Sequence, residues 1–407
     1  MSTTVCHFKH GTAMPNPLYL TAAALLCAGS VTTQAQSRPG RNPRPYQDLD
    51  WATAHQVLTA THMHVSNQPK LNVFLDRGFE FFTLSNYYPS APYYPMSAMR
   101  AGQFRVRQEH AVVKDGVLTP GPFAWNDILA PWIDQVEEEY RKGYPFQVGG
   151  PMFTNLPPHL LEAPNAEHHS FTNTRAHINA PGSLYASGTF DARNRFLSAT
   201  HGYHFGTGLP WQTAFANMLD HLLIPDGGGI TINHPYWSSL TDETVAEMLD
   251  FDPRVLGIEV FNHTCAKIDK AWSEECWDRI LATGRQCFGF FVPDHGSTDG
   301  VNVLLVKEKT AADCLRAYRL GNWYGALKGS GLRFQKIAGD GKTITVQCDR
   351  DARIQIISKL GVVAEKQASA LTFPITEPAK HVFLRAKAMA VDDSGEILFS
   401  QPFVLTP

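Results

Sequence analysis

Thr61-His62-Met63-His64 places two imidazoles two residues apart at the end of the apolar run Gln56–Thr61. On an extended chain, residues i and i+2 face the same way, so both rings can reach one metal ion. Alone, an HxH pair is weak evidence, because hydrogen-bonded structural histidines explain most such pairs. This one has company. Phe79–Leu84 runs into Ser85-Asn86-Tyr87, Gly229–Asn233 into His234-Pro235, Val255–Phe261 into Asn262-His263, and Gln286–Val292 into Pro293-Asp294-His295. Glu167, His168, His169 and His177 fall together between them. Core packing gives no reason for ligand-type side chains to gather at successive strand ends. Mixed imidazole and carboxylate donors suit Zn²⁺, Mn²⁺ or Fe better than Mg²⁺ or Ca²⁺. Such ions bring the pKa of bound water toward about 7, and two ions sharing a carboxylate clamp both oxygens of a displacement. The expected chemistry is hydrolysis of an ester, most simply a phosphoester. The candidate metal ligands are His62, His64, Glu167, His177, His234, Asp294 and His295, with His169 and His201 in reserve. Asn86, Tyr87 and Asn262 are candidates for contacting substrate.

The elements that must position these groups follow from the pattern. Each run has strand length and carries β-branched or aromatic residues without helical spacing. Helix candidates lie between the later runs: Asp242–Leu249 behind the N-cap candidate Thr241, and Lys270–Thr283 closing on Gly284. Buried strands alternating with helices predict a parallel sheet, and active sites of (β/α) barrels are built at the C-terminal strand ends. A barrel-like α/β domain is expected over 46–328, with an insertion at about 87–161 over its mouth and a helix at Asn126–Lys142. After Gly331 the texture changes. Thr343–Cys348, Arg353–Ser358 and His381–Ala388 alternate with period two, and Asp392–Gly395 supplies a turn before Ile397–Phe403. This predicts a small C-terminal antiparallel β-sandwich over 329–407. Of 17 histidines, fourteen lie between His55 and His295 and only His381 lies beyond, so the chemistry belongs to the first part.

The chain has 407 residues, 43% hydrophobic and 18% charged, enough apolar material for a real core. A net charge of −3 leaves no basic field for nucleic acid or anionic membrane. No apolar run reaches the ~18 residues of a spanning helix. From His10 to Ser37 there is no charged side chain other than histidine, and Leu18–Gly29 is apolar and short. Thr33-Gln34-Ala35 then offers small residues for a signal peptidase, which predicts a leader over 1–35 and a secreted or periplasmic protein. A Pro/Arg linker at 36–45 follows. Beyond the leader five cysteines remain, Cys265, Cys276, Cys287, Cys314 and Cys348. An odd set without CxxC reads as buried thiols, with Cys265–Cys276 the one pairing considered.

These pieces resemble the PHP (polymerase and histidinol phosphatase) superfamily, and within it the CehA/McbA-like metal-dependent hydrolases. The matching segments are THMH at 61–64, GFEFFTLSN at 78–86, Glu167 with His177-Ile178-Asn179, GGGITINHP at 227–235, GIEVFN at 257–262 and PDH at 293–295. RLGNWYGALKGSG at 319–331 looks like the lead into that subfamily's β-domain. The resemblance implies a distorted, TIM-like (β/α)7 barrel with two or three divalent metals. Two departures stand out. Asn86-Tyr87 occupies the place of an Asp-His pair, and Asp294 and His295 are adjacent where the family has Asp-x-His.

Two other functions fit the same residues. A degenerate barrel could bind a glycan or other small ligand, with Tyr87, Tyr88, Tyr93 and Tyr94 as contact surface. The same metal chemistry also serves amide or carbamate hydrolysis. The absence of G-x-S-x-G disfavours a serine hydrolase. Gly227–Gly229 lacks the Lys-Ser/Thr of a phosphate loop and reads as a turn into a strand, and Arg175, Arg193 and Arg195 read as solvated. The expected partner is a small-molecule substrate, and no feature fixes an oligomeric state.

Overall fold

In the computed structural model the described residues are 45–47, 49–65, 67–85, 153, 155–169, 171–183, 210–296, 299–328 and 331–405, with the backbone of 107–114 and 117–124. The expected leader, the helix at Asn126–Lys142, and Asn86, Tyr87 and His201 lie outside them. Tyr46 is buried, donates its hydroxyl to the Trp323 carbonyl at 2.6 Å and accepts from the Gln401 amide at 2.8 Å.

β1 (His55–Thr59) buries Val57 and Thr59 and feeds the His62/His64 segment. α1 (Gln68–Asp76) starts where the Asn67 side chain accepts from the Lys70 amide, with Pro69 in its first turn. Then come β2 (Phe81–Phe82), β3 (Arg107–Lys114), β4 (Val117–Ala124), β5 (Leu161–Glu162), β6 (Glu167–His168) and β7 (His177–Asn179). The central part alternates helix and strand: α2 (Trp211–Asp220), β8 (Ile230–Asn233), α3 (Asp242–Phe251), β9 (Val255–Asn262), α4 (Glu274–Leu281) and β10 (Phe288–Val292). Thr241 caps α3 as expected, by accepting from the Thr244 amide. α4 starts later than Lys270 because 271–273 pair with β9 instead: Asn262 N–H reaches Ala271 O, and Ser273 N–H reaches Val260 O. The chain closes with β11 (Gly300–Val306), α5 (Ala311–Leu320), β12 (Trp323–Leu327), β13 (Phe334–Gly339), β14 (Thr343–Ser358) and β15 (Gly361–Pro374). The short α6 (Pro378–His381) precedes β16 (Phe383–Ala390), β17 (Ile397–Phe399) and β18 (Phe403–Val404).

Two large sheets result. The first runs β10-β9-β8-β7-β6, with β8, β9 and β10 parallel through the α3 and α4 crossovers and β7 and β6 antiparallel. The second runs β1-β11-β12-β17-β16-β14-β13, with β15 on β14 and β18 on β16. Its pairings are antiparallel. The fold is therefore mixed α/β, and among the described residues no closed barrel forms. β1, expected to lie beside β8 to β10 in one parallel sheet, pairs antiparallel with β11. The C-terminal strands do not make a sandwich of their own among the described residues, because β12 pairs with β17 and carries the β1 sheet straight into them.

One buried cluster lies between α1, α5 and the β1 sheet; the other packs α2, α3 and α4 on β7 to β10. Gly228 and Gly229, at φ 64° and 148°, turn the chain into β8. A Cβ on Gly228 would lie 2.1 Å from the Pro181 carbonyl, so this is a turn and a close approach. The five cysteines among the described residues form no disulfide, and four of them are buried.

Candidate metal centre

Strand ends from both sheets meet at one place, and backbone and polar side chains stitch them together. Asp294, just past β10, donates its amide to His62 O at 3.0 Å, and His64 N–H reaches Asp294 O at 3.1 Å. Ser85, after β2, accepts the Met63 amide on Oγ at 2.8 Å, and its carbonyl accepts from Glu167 N–H at 3.1 Å. Buried Asn165 donates to Thr61 O at 2.8 Å and Thr83 O at 2.9 Å and accepts from Ala180 N–H at 3.0 Å. His234 and Asp294 both have left-handed backbone, at φ 26° and 55°. Such residues cost about 1–3 kcal/mol each and persist only where surroundings hold them. Here Glu259 Oε2 accepts the His234 amide at 2.8 Å, and His62 O accepts that of Asp294.

Four donor atoms come together: His62 Nε2, His64 Nε2, Glu167 Oε2 and Asp294 Oδ1. His62–His64 is 3.1 Å and His64–Glu167 is 3.0 Å. His62–Glu167 is 3.2 Å, His62–Asp294 is 3.3 Å and His64–Asp294 is 3.4 Å. N and O ligands at ~2.0–2.1 Å around a tetrahedral ion stand about 3.3–3.4 Å apart. These five edges match that figure to within a few tenths of an ångström, and Asp294 Oδ1 is buried with no hydrogen bond of its own. The residues fit a divalent transition metal.

A second group shares the same carboxylate. Glu167 Oε1 lies 2.6 Å from His177 Nδ1 and 3.5 Å from His234 Nε2. Glu167 thus turns one oxygen to each group, so it could be shared if both were to hold an ion. The two groups are not equally enclosed: His62 and Glu167 are fully buried, whereas the His177 side chain is 20% exposed.

Glu259 is the residue the sequence reading missed. It is the only charged residue in the eight-residue, wholly buried β9, a signal that could have found it, since buried carboxylates need partners. Its Oε1 sits 2.7 Å from His62 Nδ1, and its Oε2 accepts from His234 N–H and from Asn262 Nδ2 at 2.9 Å. A carboxylate behind a ligating histidine fixes ring orientation and tautomer. His62, His234 and Glu259 form a third candidate group, but Glu259 is already occupied by these hydrogen bonds. Asn262 was expected to contact substrate. Instead it is buried: its amide joins Glu259 to Asp294 Oδ2 at 3.1 Å, and its oxygen accepts from Cys265 N–H.

His295 is outside the close donor groups among the described residues. Its ring stacks on His64 with centroids 3.8 Å apart, 47% exposed, and Nε2 is 3.7 Å from Asp294 Oδ1. His169 stacks on His177 at 5.1 Å, whereas His168, next to Glu167 on the two-residue β6, faces the opposite side. Trp237 packs edge-on to His177 and His234, at 5.2 and 4.9 Å. The Lys70 ammonium closes the rim, donating to His295 O at 2.9 Å.

Charge follows geometry. Burial opposes ionisation of His62, but Asp294, Glu167 and Glu259 outweigh it and hold its pKa well above the usual imidazole value. His234 is raised, with burial again overcome by Glu167 and Glu259. Glu167 is held well below the carboxylate range, and Asp294 is lowered, because the histidines around them outweigh burial. Burial pushes His168 down to about 3 and, with the nearby His64, His295 down to about 4.

No protein-family model matches the chain, and no curated protein matches it. Among solved structures it is similar to the crystal structure of a two-domain protein containing a predicted PHP-like metal-dependent phosphoesterase from Bacteroides vulgatus ATCC 8482. The identity is 14%, covering 82% of this chain and 89% of that one, with a TM-score of 0.36.

Proposed function

We propose that the chain is a metal-dependent hydrolase of the PHP type acting on a phosphoester. The observation that carries this is the pair of donor groups joined through Glu167. His62, His64, Asp294 and Glu167 would hold one ion, and Glu167, His177 and His234 a second. Zn²⁺, Mn²⁺ or Fe suits these donors. When bound, such a pair supplies a hydroxide at neutral pH and polarises the ester oxygen.

The chain's own residues do the rest. Glu259 aims His62 Nε2 at the donor group by holding Nδ1, and Ser238 Oγ, 3.2 Å from His234 Nδ1, leaves that ring's Nε2 facing Glu167. Trp237 packs edge-on against His177 and His234 and holds both rings in place. Lys70 sets a positive charge at the rim, suited to a phosphoryl oxygen and of little use to a neutral amide or carbamate. In the same reading the chain is exported after cleavage near Ala35. N-terminal sequencing of protein from its native host should begin near Gln36.

The test is to purify the full chain without chelator, measure metal per chain, and assay p-nitrophenyl phosphate before and after metal removal. The reading expects about two bound ions per chain and a metal-restored phosphatase activity. Protein that retains no transition metal and hydrolyses nothing after loading would overturn it.

A further inference from the structure

We propose that a second ligand site, for a small carboxylate with an apolar body, lies between the α1–β2 turn and the face of the β1 sheet. A cavity of about 170 Å³ opens there. A cavity of ~150 Å³ accommodates one benzene ring, so the occupant is a single-ring or short-chain molecule. Leu58, Val303, Ala326 and Leu332 give it an apolar lining. Leu58 lies four residues before His62, about 13 Å along an extended chain, which separates this cavity from the metal centre.

The charge of the occupant is set by Arg77. Its Nε is buried without a hydrogen-bond partner among the described residues, and its guanidinium forms no ion pair there. Several other described arginines have acidic or carbonyl partners. Arg254 holds Asp252, Arg279 holds Asp242, Arg285 holds Asp250, Arg316 holds Asp226, and Arg385 holds Asp278 and Glu274. Buried Arg319 donates to the carbonyls of Gly227 and Gly228. Arg77 differs from these, and it lines the cavity together with Arg333. The one carboxylate in the lining, Glu80, is neutralised by Lys309. Gln56 and Tyr324 bond to each other at 3.0 Å and do not serve the guanidinium. A cavity with an apolar lining, an Arg77 guanidinium unpaired among the described residues and a neutralised acid is complementary to an organic anion. A carboxylate is also the acceptor a guanidinium matches best in plane and charge.

The experiment is calorimetric titration of the full chain with sodium benzoate, with benzamide as the neutral isostere and inorganic phosphate as a second anion. Benzoate should bind saturably at one site per chain, and benzamide at least about tenfold more weakly. Arg77→Met should weaken benzoate at least about tenfold, and Ala326→Leu, which fills the cavity without touching the charge, should do the same. Benzoate binding that both variants leave unchanged, as expected if it went to the metal centre, would overturn the proposal. So would no saturable benzoate binding, or binding of phosphate without benzoate.

Discussion

The two donor groups that share Glu167 are built differently. The His62/His64/Asp294 side has four buried donors, five of whose edges are 3.0–3.4 Å, and Glu259 and Asn262 hold them from behind. The His177/His234 side has three donors, a wider 3.5 Å edge, and one ring partly open to solvent. Preorganised, enclosed donors hold a metal tightly, whereas a set with fewer donors leaves positions for water or substrate. On the proposed function, the first group would be the resident site and the second the exchangeable one.

The largest effect should come from the residue common to both. Glu167→Gln should remove both ions and abolish phosphatase activity, read by elemental analysis and p-nitrophenyl phosphate turnover on the same sample. If the ions stay, Glu167 does not bridge. Next, His62→Ala and His64→Ala should each empty the tight group, and the double variant should be little worse than either, because residues acting as one unit are not additive. His177→Ala should spare the tight ion and loosen only the other. Equal metal loss in all three would erase the distinction between the groups.

A smaller effect is expected from Glu259→Gln, about 10–100-fold in affinity at the tight group, as found for partners of metal-bound histidines. Competition with a metal-sensitive dye measures it, and an unchanged affinity would deny Glu259 its orienting role.

The smallest change lies away from both groups. Burial raises the Glu274 pKa, but Arg385 and Lys387 outweigh it and hold it below the usual value. Its contribution to stability is full above the unfolded pKa of about 4.3 and is lost as pH falls through the lower folded value. Glu274→Gln should flatten the fall of Tm below about pH 4.3 and leave metal content untouched.

The sequence makes His62, His64, His234 and Asp294 legible for one reason: each closes an apolar run that really is a strand or strand end. The spacing of His62 and His64 correctly puts their rings on one side, 3.1 Å apart at Nε2. Glu167 and His177 are visible as residue types only, since β6 and β7 are too short to show a period. Glu259 is hidden because a single acid in an apolar strand carries no motif. The sheet order is hidden for another reason. The fully buried strands β11 and β12 alternate nothing, and pairing of β1 with β11 depends on contacts more than 200 residues apart. The strand-end placement of these side chains and the parallel order of β8 to β10 were therefore readable, whereas the second sheet, which takes up β1, was not.

The most direct test of the account is a titration of metal-free protein with Mn²⁺, followed by calorimetry, for the unaltered chain, His64→Ala and His177→Ala. The account predicts two binding steps in the unaltered chain, with the tighter one lost in His64→Ala and kept in His177→Ala. A single class of sites, lost equally in both variants, or the tighter step surviving His64→Ala, would contradict it.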